Sequence, residues 1–149
     1  MFTLTIIKGG DIFKSYCQTI VNPINCVGIM GRGLALEFKN RYPIMFDKYK
    51  ELCSKQLLSV GKLWIYYDED NGKNILNFPT KFDWRDDSKY EYIELGLSKF
   101  VETYKSRGIK SIAFPMLGCG CGKLDKDIVL GIMFKYLSKC DDLIVEIYN

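Results

Sequence analysis

Histidine is absent from this chain. That removes every Ser-His and Cys-His nucleophile pair and every imidazole metal ligand. Any chemistry must rest on carboxylate, lysine, tyrosine, cysteine or backbone groups. Long apolar runs are also missing. None approaches the roughly 18 residues of a membrane-spanning helix, and the start of the chain is too short and too alternating for a signal-peptide core. A marked excess of either charge is missing too, with 21 Lys and Arg against 18 Asp and Glu. A net charge of +3 neither demands nor forbids a nucleic-acid partner. The six cysteines do not pair into a metal knuckle. Cys119-x-Cys121 is tighter than the usual C-x₂₋₄-C spacing, and there is no second pair. Reduced thiols in a cytoplasmic protein are expected, with no metal and no cofactor.

What is present is an ordinary globular composition over 149 residues, expected to form one domain spanning residues 1–149. Strands are expected at Thr3–Lys8, Gln18–Val21, Lys62–Asp68, Asn74–Phe78, Lys110–Leu117 and Leu143–Tyr148. Helices are expected at Gly33–Arg41, Met45–Lys55, Tyr90–Arg107 and Asp125–Lys139. Asp70-Asn71-Gly72 is a hairpin signal joining the third and fourth strands. Ile93, Leu97, Phe100, Val101 and Tyr104 form an apolar stripe. Ile128, Ile132, Tyr136 and Leu137 are expected to face inward from the last helix. Strands alternating with helices predict an α/β fold around a mixed sheet.

Two glycine loops stand out. The first runs Asn22-Pro23-Ile24-Asn25-Cys26-Val27-Gly28-Ile29-Met30-Gly31-Arg32-Gly33-Leu34-Ala35. It joins a buried strand end to a helix start. The second, Gly118-Cys119-Gly120-Cys121-Gly122, follows the apolar strand Ile112–Leu117. Glycine lets backbone N–H groups approach an anion, and a helix start favours negative charge. Tight turns would use the same glycines. Two such loops at strand-to-helix junctions favour a shared ligand, a diphosphate above all. Gly28-x-x-Gly31-x-Gly33 is not G-x-G-x-x-G, and Gly31-Arg32-Gly33-Leu34 lacks the Gly-Lys-Ser/Thr of a P-loop.

These motifs together resemble the macrodomain family, the three-layer α/β/α module with a central mixed sheet that binds ADP-ribose. Gly10-Asp11-Ile12 is similar to the family's early Gly-Asp-Ile, and Val21-Asn22-Pro23-Ile24-Asn25 to its Val-Asn-Pro/Ala-x-Asn. Gly118–Gly122 looks like its second phosphate loop. Asn25 to Ala35 resembles the subclass of terminal ADP-ribose protein glycohydrolases and bacterial DNA ADP-ribosyl glycohydrolases. Asn77-Phe78-Pro79-Thr80-Lys81-x-x-Trp84-Arg85 is the closer match to the DNA-directed branch.

The resemblance implies a ligand site of Asp11, Ile12, Asn22, Asn25, Gly28, Met30, Gly31, Gly33, Leu34, Gly118, Cys119, Gly120, Cys121 and Gly122. It implies Lys81 as the group attacking the distal ribose and Asp125 as the acid assisting release. The implied activity removes ADP-ribose from modified DNA or a protein carboxylate. A module that only binds ADP-ribose, or an O-acetyl-ADP-ribose deacetylase, would use the same pocket. From the residues alone, Asp125 and Asp11 could be helix caps, Asn22 and Asn25 could bond their own loop, and Lys81 could be a surface lysine. Trp84, Arg85 and Lys89 could meet single-stranded nucleic acid or form an aromatic lid. A monomer with no membrane contact is expected.

Overall fold

The computed structural model describes all residues 1–149. Six strands and four helices follow in the order β1 (Thr3–Ile7), β2 (Thr19–Ile24), α1 (Gly33–Arg41), α2 (Pro43–Ser54), β3 (Trp64–Tyr67), β4 (Asn74–Pro79), α3 (Tyr90–Thr103), β5 (Ser111–Pro115), α4 (Lys126–Leu137) and β6 (Ile144–Tyr148). A short 3₁₀ turn, Ile12–Lys14, lies between β1 and β2. The sheet order is β1-β6-β5-β2-β4-β3. Only β3 runs antiparallel to its neighbour, and it joins β4 through the Asp70–Gly72 hairpin. The mixed sheet between helical layers is the α/β/α arrangement expected.

Alternation along the central strands builds a core on each face. Val21 of β2, Leu76 and Phe78 of β4, and Phe114 of β5 face α3 and α4. Ile20 and Ile24 of β2, with Ile75 of β4, face α1, α2 and the 3₁₀ turn. Phe114 meets Phe100 of α3 edge-on at 5.6 Å between ring centres. Burying a side chain of this kind contributes about 1.5–3 kcal/mol. Gly96 of α3 lets the tip of the Phe78 ring reach the helix, because a Cβ there would overlap it.

The sheet also opens the site. β2 pairs with β4 along its whole length, from Thr19↔Asn74 to Ile24↔Pro79. It pairs with β5 only at Thr19↔Ile112 and Ile20↔Ala113, then parts from it. Pro23 sits beyond that parting, on the β5 side of which no ladder bond is lost to its missing N–H. The strand expected over Gln18–Val21 is longer in the structure. The pairing with β4 carries it on to Ile24.

On the inward face of α4, Leu137 is buried as expected, and the rest of the row differs. Val129, Met133 and Leu137 are the buried row, while Ile128 is 51% exposed and Ile132 and Tyr136 are half-buried. α4 is apolar on nearly every side, so its periodicity does not single out a face. The Asp125 cap and the packing of α3 decide it.

Candidate functional site

A cleft of about 780 Å³ lies where β2 and β5 separate, at the carboxyl ends of the parallel strands. Its walls come from four places. β2 and the first glycine loop supply Pro23 to Asn25 and Ile29 to Gly33, and α1 supplies Leu34 and Ala35. The segment after β4 supplies Thr80, Lys81 and Trp84 to Asp87. The second glycine loop supplies Gly118, Gly120, Cys121, Gly122 and Lys123.

Asn25 organises the first loop. Its Oδ1 accepts from the Tyr49 hydroxyl at 2.8 Å and from the Val27 N–H at 3.1 Å. Its Nδ2 donates to the Ile29 carbonyl at 2.7 Å. Burial pushes the Tyr49 phenol far above its ordinary range, which keeps the proton it donates. Asn22 lies beneath, fully buried on β2, with Nδ2 donating to Asn77 Oδ1 on β4 at 3.0 Å. Its own Oδ1 has no protein partner. Met30 is buried beside it and forms part of the cleft floor.

The glycines divide by role. Gly28, Gly33 and Gly118 adopt left-handed φ values that a side chain resists. Gly118 and Gly122 also pack against Ser88, whose Cβ lies 2.8 Å from where a Gly122 Cβ would stand. Gly120 has neither constraint. It lies outside the left-handed region, and a Cβ there would meet nothing within 4 Å. Gly120 also lines the cleft, so this open position lies at its wall.

Lys81 is buried at the junction of both loops. Beyond the ends of β2 and β4 the ladder continues through Thr80 N–H to Ile24 O at 2.9 Å and Cys26 N–H to Phe82 O at 2.8 Å. Lys81 is held between those two bonds. Its Nζ donates to the carbonyls of Asp86 at 3.0 Å, Trp84 at 3.2 Å and Cys121 at 3.4 Å. All three ammonium protons are thus engaged by backbone oxygens, and the lysine ties the Trp84–Asp86 turn to the second glycine loop. Ser88 adds two further ties, its N–H to Gly122 O at 3.0 Å and its hydroxyl to Thr80 O.

Other expected residues lie outside the 22 that line the cleft. Asp125 is exposed and caps α4, with Oδ1 accepting from the N–H groups of Asp127 at 2.9 Å and Ile128 at 3.1 Å. Asp11 caps the 3₁₀ turn through the Phe13 N–H at 2.9 Å, leaving Oδ2 without a protein donor. Ile12 is buried in the core beneath it. Gly28 and Cys119 shape their loops and do not line the cleft.

Four charged lining residues were missed by sequence reading: Arg32, Asp86, Asp87 and Lys123. Lys123 and Asp87 face each other at 3.6 Å across the two loops, a pairing of distant residues that no local pattern announces. Trp84, which lines the cleft, and Phe82, two residues before it, are close to half-exposed. Phe82 rests edge-on against Tyr92, and the Arg85 guanidinium lies 5.6 Å from the Trp84 ring while bonding Asp83. No group of acids, cysteines and histidines could hold a metal ion.

Comparison with known proteins gives a consistent set of likenesses. The family model described as Macro domain matches residues 21–133. A Mycobacterium tuberculosis protein named DNA ADP-ribosyl glycohydrolase is 38% identical over 141 residues, which cover 93% of this chain and 40% of the relative. The Thermus aquaticus protein of the same name is 37% identical over 120 residues, 77% of this chain and 32% of the relative. The chain thus spans about two fifths or less of these curated relatives. Among solved structures, the macrodomain of Thermus aquaticus DarG superposes with a TM-score of 0.93 at 31% identity, covering 100% of this chain and 99% of the other. Thermosipho africanus DarTG in complex with ADP-ribose superposes at 0.90 with 40% identity, covering 98% of this chain and 41% of the other.

Proposed function

As this chain belongs to the macrodomain family, we propose that its cleft binds ADP-ribose and that the protein removes ADP-ribose from modified DNA. The observation that carries this reading is Lys81, a buried amine at the meeting point of two glycine loops, where the distal ribose of a bound ADP-ribose would end. The printed names of the relatives support the reaction, and the Thermosipho africanus complex supports the ligand. The diphosphate would lie between the loops against Gly31, Gly33 and Gly120, and Asp11 would take the adenine amino group on its free Oδ2.

The chemistry assigned to Lys81 is covalent. Its neutral amine attacks C1 of the distal ribose, the bond from C1 to the acceptor breaks, and the acceptor leaves with a proton. Ring opening moves a proton to the ring oxygen and leaves a Schiff base, which water hydrolyses to regenerate the amine. For this the Nζ must shed a proton and release at least one of its three carbonyls, because an amine with three engaged protons has no lone pair to offer. Asp125, whose Oδ2 is free of its capping role, serves as the acid in this scheme. A protein carboxylate is the second acceptor class the same chemistry would serve.

The exposed faces of Phe82 and Trp84 support contact with a single strand beside the modified nucleotide. Base stacking on an aromatic ring is worth about 1–3 kcal/mol.

A second reading has its own observation. The complete engagement of Lys81 by Trp84, Asp86 and Cys121 suits a purely structural clasp, in a module that binds ADP-ribose and breaks nothing. The experiment that separates them offers ADP-ribosylated thymidine DNA, ADP-ribosylated guanosine DNA and glutamate-modified protein side by side. Wild type and Lys81→Arg are compared. Arginine keeps carbonyl donors but stays protonated and cannot form the Schiff base. Release by wild type and none by Lys81→Arg supports the glycohydrolase. Equal release by both contradicts the lysine mechanism, and tight ADP-ribose binding with no release from any conjugate establishes the binding module.

A further inference from the structure

Away from the cleft, the molecule holds one other built cluster of buried polar groups. Glu146 sits mid-strand in β6, 7% exposed, with its side chain on the face covered by the segment Asp11–Cys17. A single oxygen, Oε1, accepts three donors: the Ser15 hydroxyl at 2.5 Å, the Tyr148 hydroxyl at 3.1 Å and the Cys17 thiol at 3.6 Å. Ser15 Oγ in turn accepts from the Cys17 N–H at 3.0 Å. From the other side, the Lys73 ammonium donates to the carbonyls of Ser15, at 2.6 Å, and Cys17. Burial pushes the Tyr148 phenol and the Cys17 thiol above their ordinary ranges, so both keep the protons they donate.

The cluster does more than satisfy its own atoms. Burying a carboxyl group is costly unless hydrogen bonds offset it, and the three donors on Oε1 do so only while Ser15, Cys17 and Tyr148 stay in place. This carboxyl is spent on the strap that carries Asp11. Ser15 ends the 3₁₀ turn, its N–H closing on Ile12 O at 3.1 Å, and Asp11 begins it. The Tyr148 ring that reaches Glu146 with its hydroxyl also presses on Gly10, where a Cβ would stand 3.0 Å from the ring. At the far side of the strap, Phe13 packs on Phe38 of α1 at 4.7 Å, and α1 forms one wall of the cleft. Glu146 and Tyr148 therefore grip the strap at both ends, before and after Asp11.

We propose that Glu146 is a positioning residue for nucleobase recognition: through Ser15 and Tyr148 it fixes the strap so that the free oxygen of Asp11 meets the exocyclic amino group of the bound base. This rests on the reading of the cleft as an ADP-ribose site. Losing the anchor lets the strap shift, which costs the base contact. The diphosphate and distal ribose, held by the glycine loops, are untouched.

The test uses ADP-ribose and its hypoxanthine analogue, in which a carbonyl replaces the amino group. Dissociation constants for both are measured calorimetrically on wild type, Glu146→Leu, Glu146→Gln and Ser15→Ala. Wild type should prefer ADP-ribose by about tenfold or more. Glu146→Leu should lose most of that preference through weaker ADP-ribose binding, with the analogue bound as before. Glu146→Gln, which keeps an acceptor oxygen, should retain part of it. A general loss of folded protein weakens both ligands alike and leaves the ratio where it was. Ser15→Ala removes the strap's own donor and should lower the ratio even where Glu146→Leu does not fold. An unchanged ratio in the folded variants overturns the inference. So does a wild type that binds both ligands equally, which leaves the ADP-ribose reading standing. A wild type that binds neither ligand overturns that reading and the inference with it.

Discussion

Two neighbouring glycines in the second loop should respond to the same substitution in opposite ways. A methyl group at Gly122 would stand 2.8 Å from Ser88 Cβ and would overlap the Gly118 carbonyl, which is backbone and cannot swing aside. Gly122→Ala therefore forces the loop or Ser88 to move, and it strains the Ser88 N–H bond to Gly122 O. Overpacking of this kind costs about 1–3 kcal/mol. For a chain of this size, each kcal/mol lowers the melting temperature by about 2–4 °C. Gly120 has open space around its Cβ position and an unremarkable backbone, so Gly120→Ala should leave stability unchanged or raise it by about 0.4–1 kcal/mol. Gly120 lines the cleft, so the added methyl should weaken ADP-ribose binding. Thermal melts and calorimetric titration of both variants separate the effects. A Gly120→Ala protein that binds ADP-ribose like wild type would refute the assignment of that space to the ligand. The glycine would then be only a turn residue.

Further outcomes follow from the same geometry. Trp84→Ala should weaken binding of an ADP-ribosylated oligonucleotide by about 1–3 kcal/mol while free ADP-ribose binds as before. Equal losses for both ligands would argue that the ring is only a lid. Hydrogen bonds from Arg85 hold the Asp83 carboxyl at about 2, below its unfolded value, so the contribution of this pair is full above the usual carboxylate range, declines as pH falls below that range and is gone once pH has passed through about 2. An NMR titration of Asp83 with a midpoint near 4 would contradict the pairing. Burial pushes the Cys26 thiol to about 12, so at pH 8 it should resist alkylation while the exposed Cys121 reacts. Peptide mapping that finds Cys26 modified first would count against the packing of the first loop.

The parts of this molecule carried by local chemistry were legible. The Asp70–Gly72 hairpin, the stripe of α3 and the two glycine loops all emerged where their residues pointed. Residues whose roles depend on distant partners were not. By residue type alone Lys81 could be a surface lysine, and only the family resemblance singles it out, because its acceptor Cys121 lies forty positions away and only the fold brings them together. Ser88 gave no signal, yet it holds Gly122 and Thr80. On α4 Leu137 is buried as expected, but Ile128, Ile132 and Tyr136 are not, because Ile128, Val129, Leu130, Ile132, Met133 and Phe134 are apolar on nearly every side and tertiary packing chose Val129 and Met133. Asp125 and Asp11 were each open to a capping reading, and both do cap. Their second oxygens remain for the roles proposed.

The central claim is that Lys81 forms a covalent bond to the distal ribose. Mass spectrometry of protein incubated with ADP-ribosylated thymidine DNA and borohydride tests it most directly, because reduction fixes a Schiff base as a stable secondary amine. The account predicts an adduct with the mass of reduced ADP-ribose, mapped to Lys81 and absent in Lys81→Arg. Turnover of the substrate with no adduct, or with an adduct on another lysine, would contradict it.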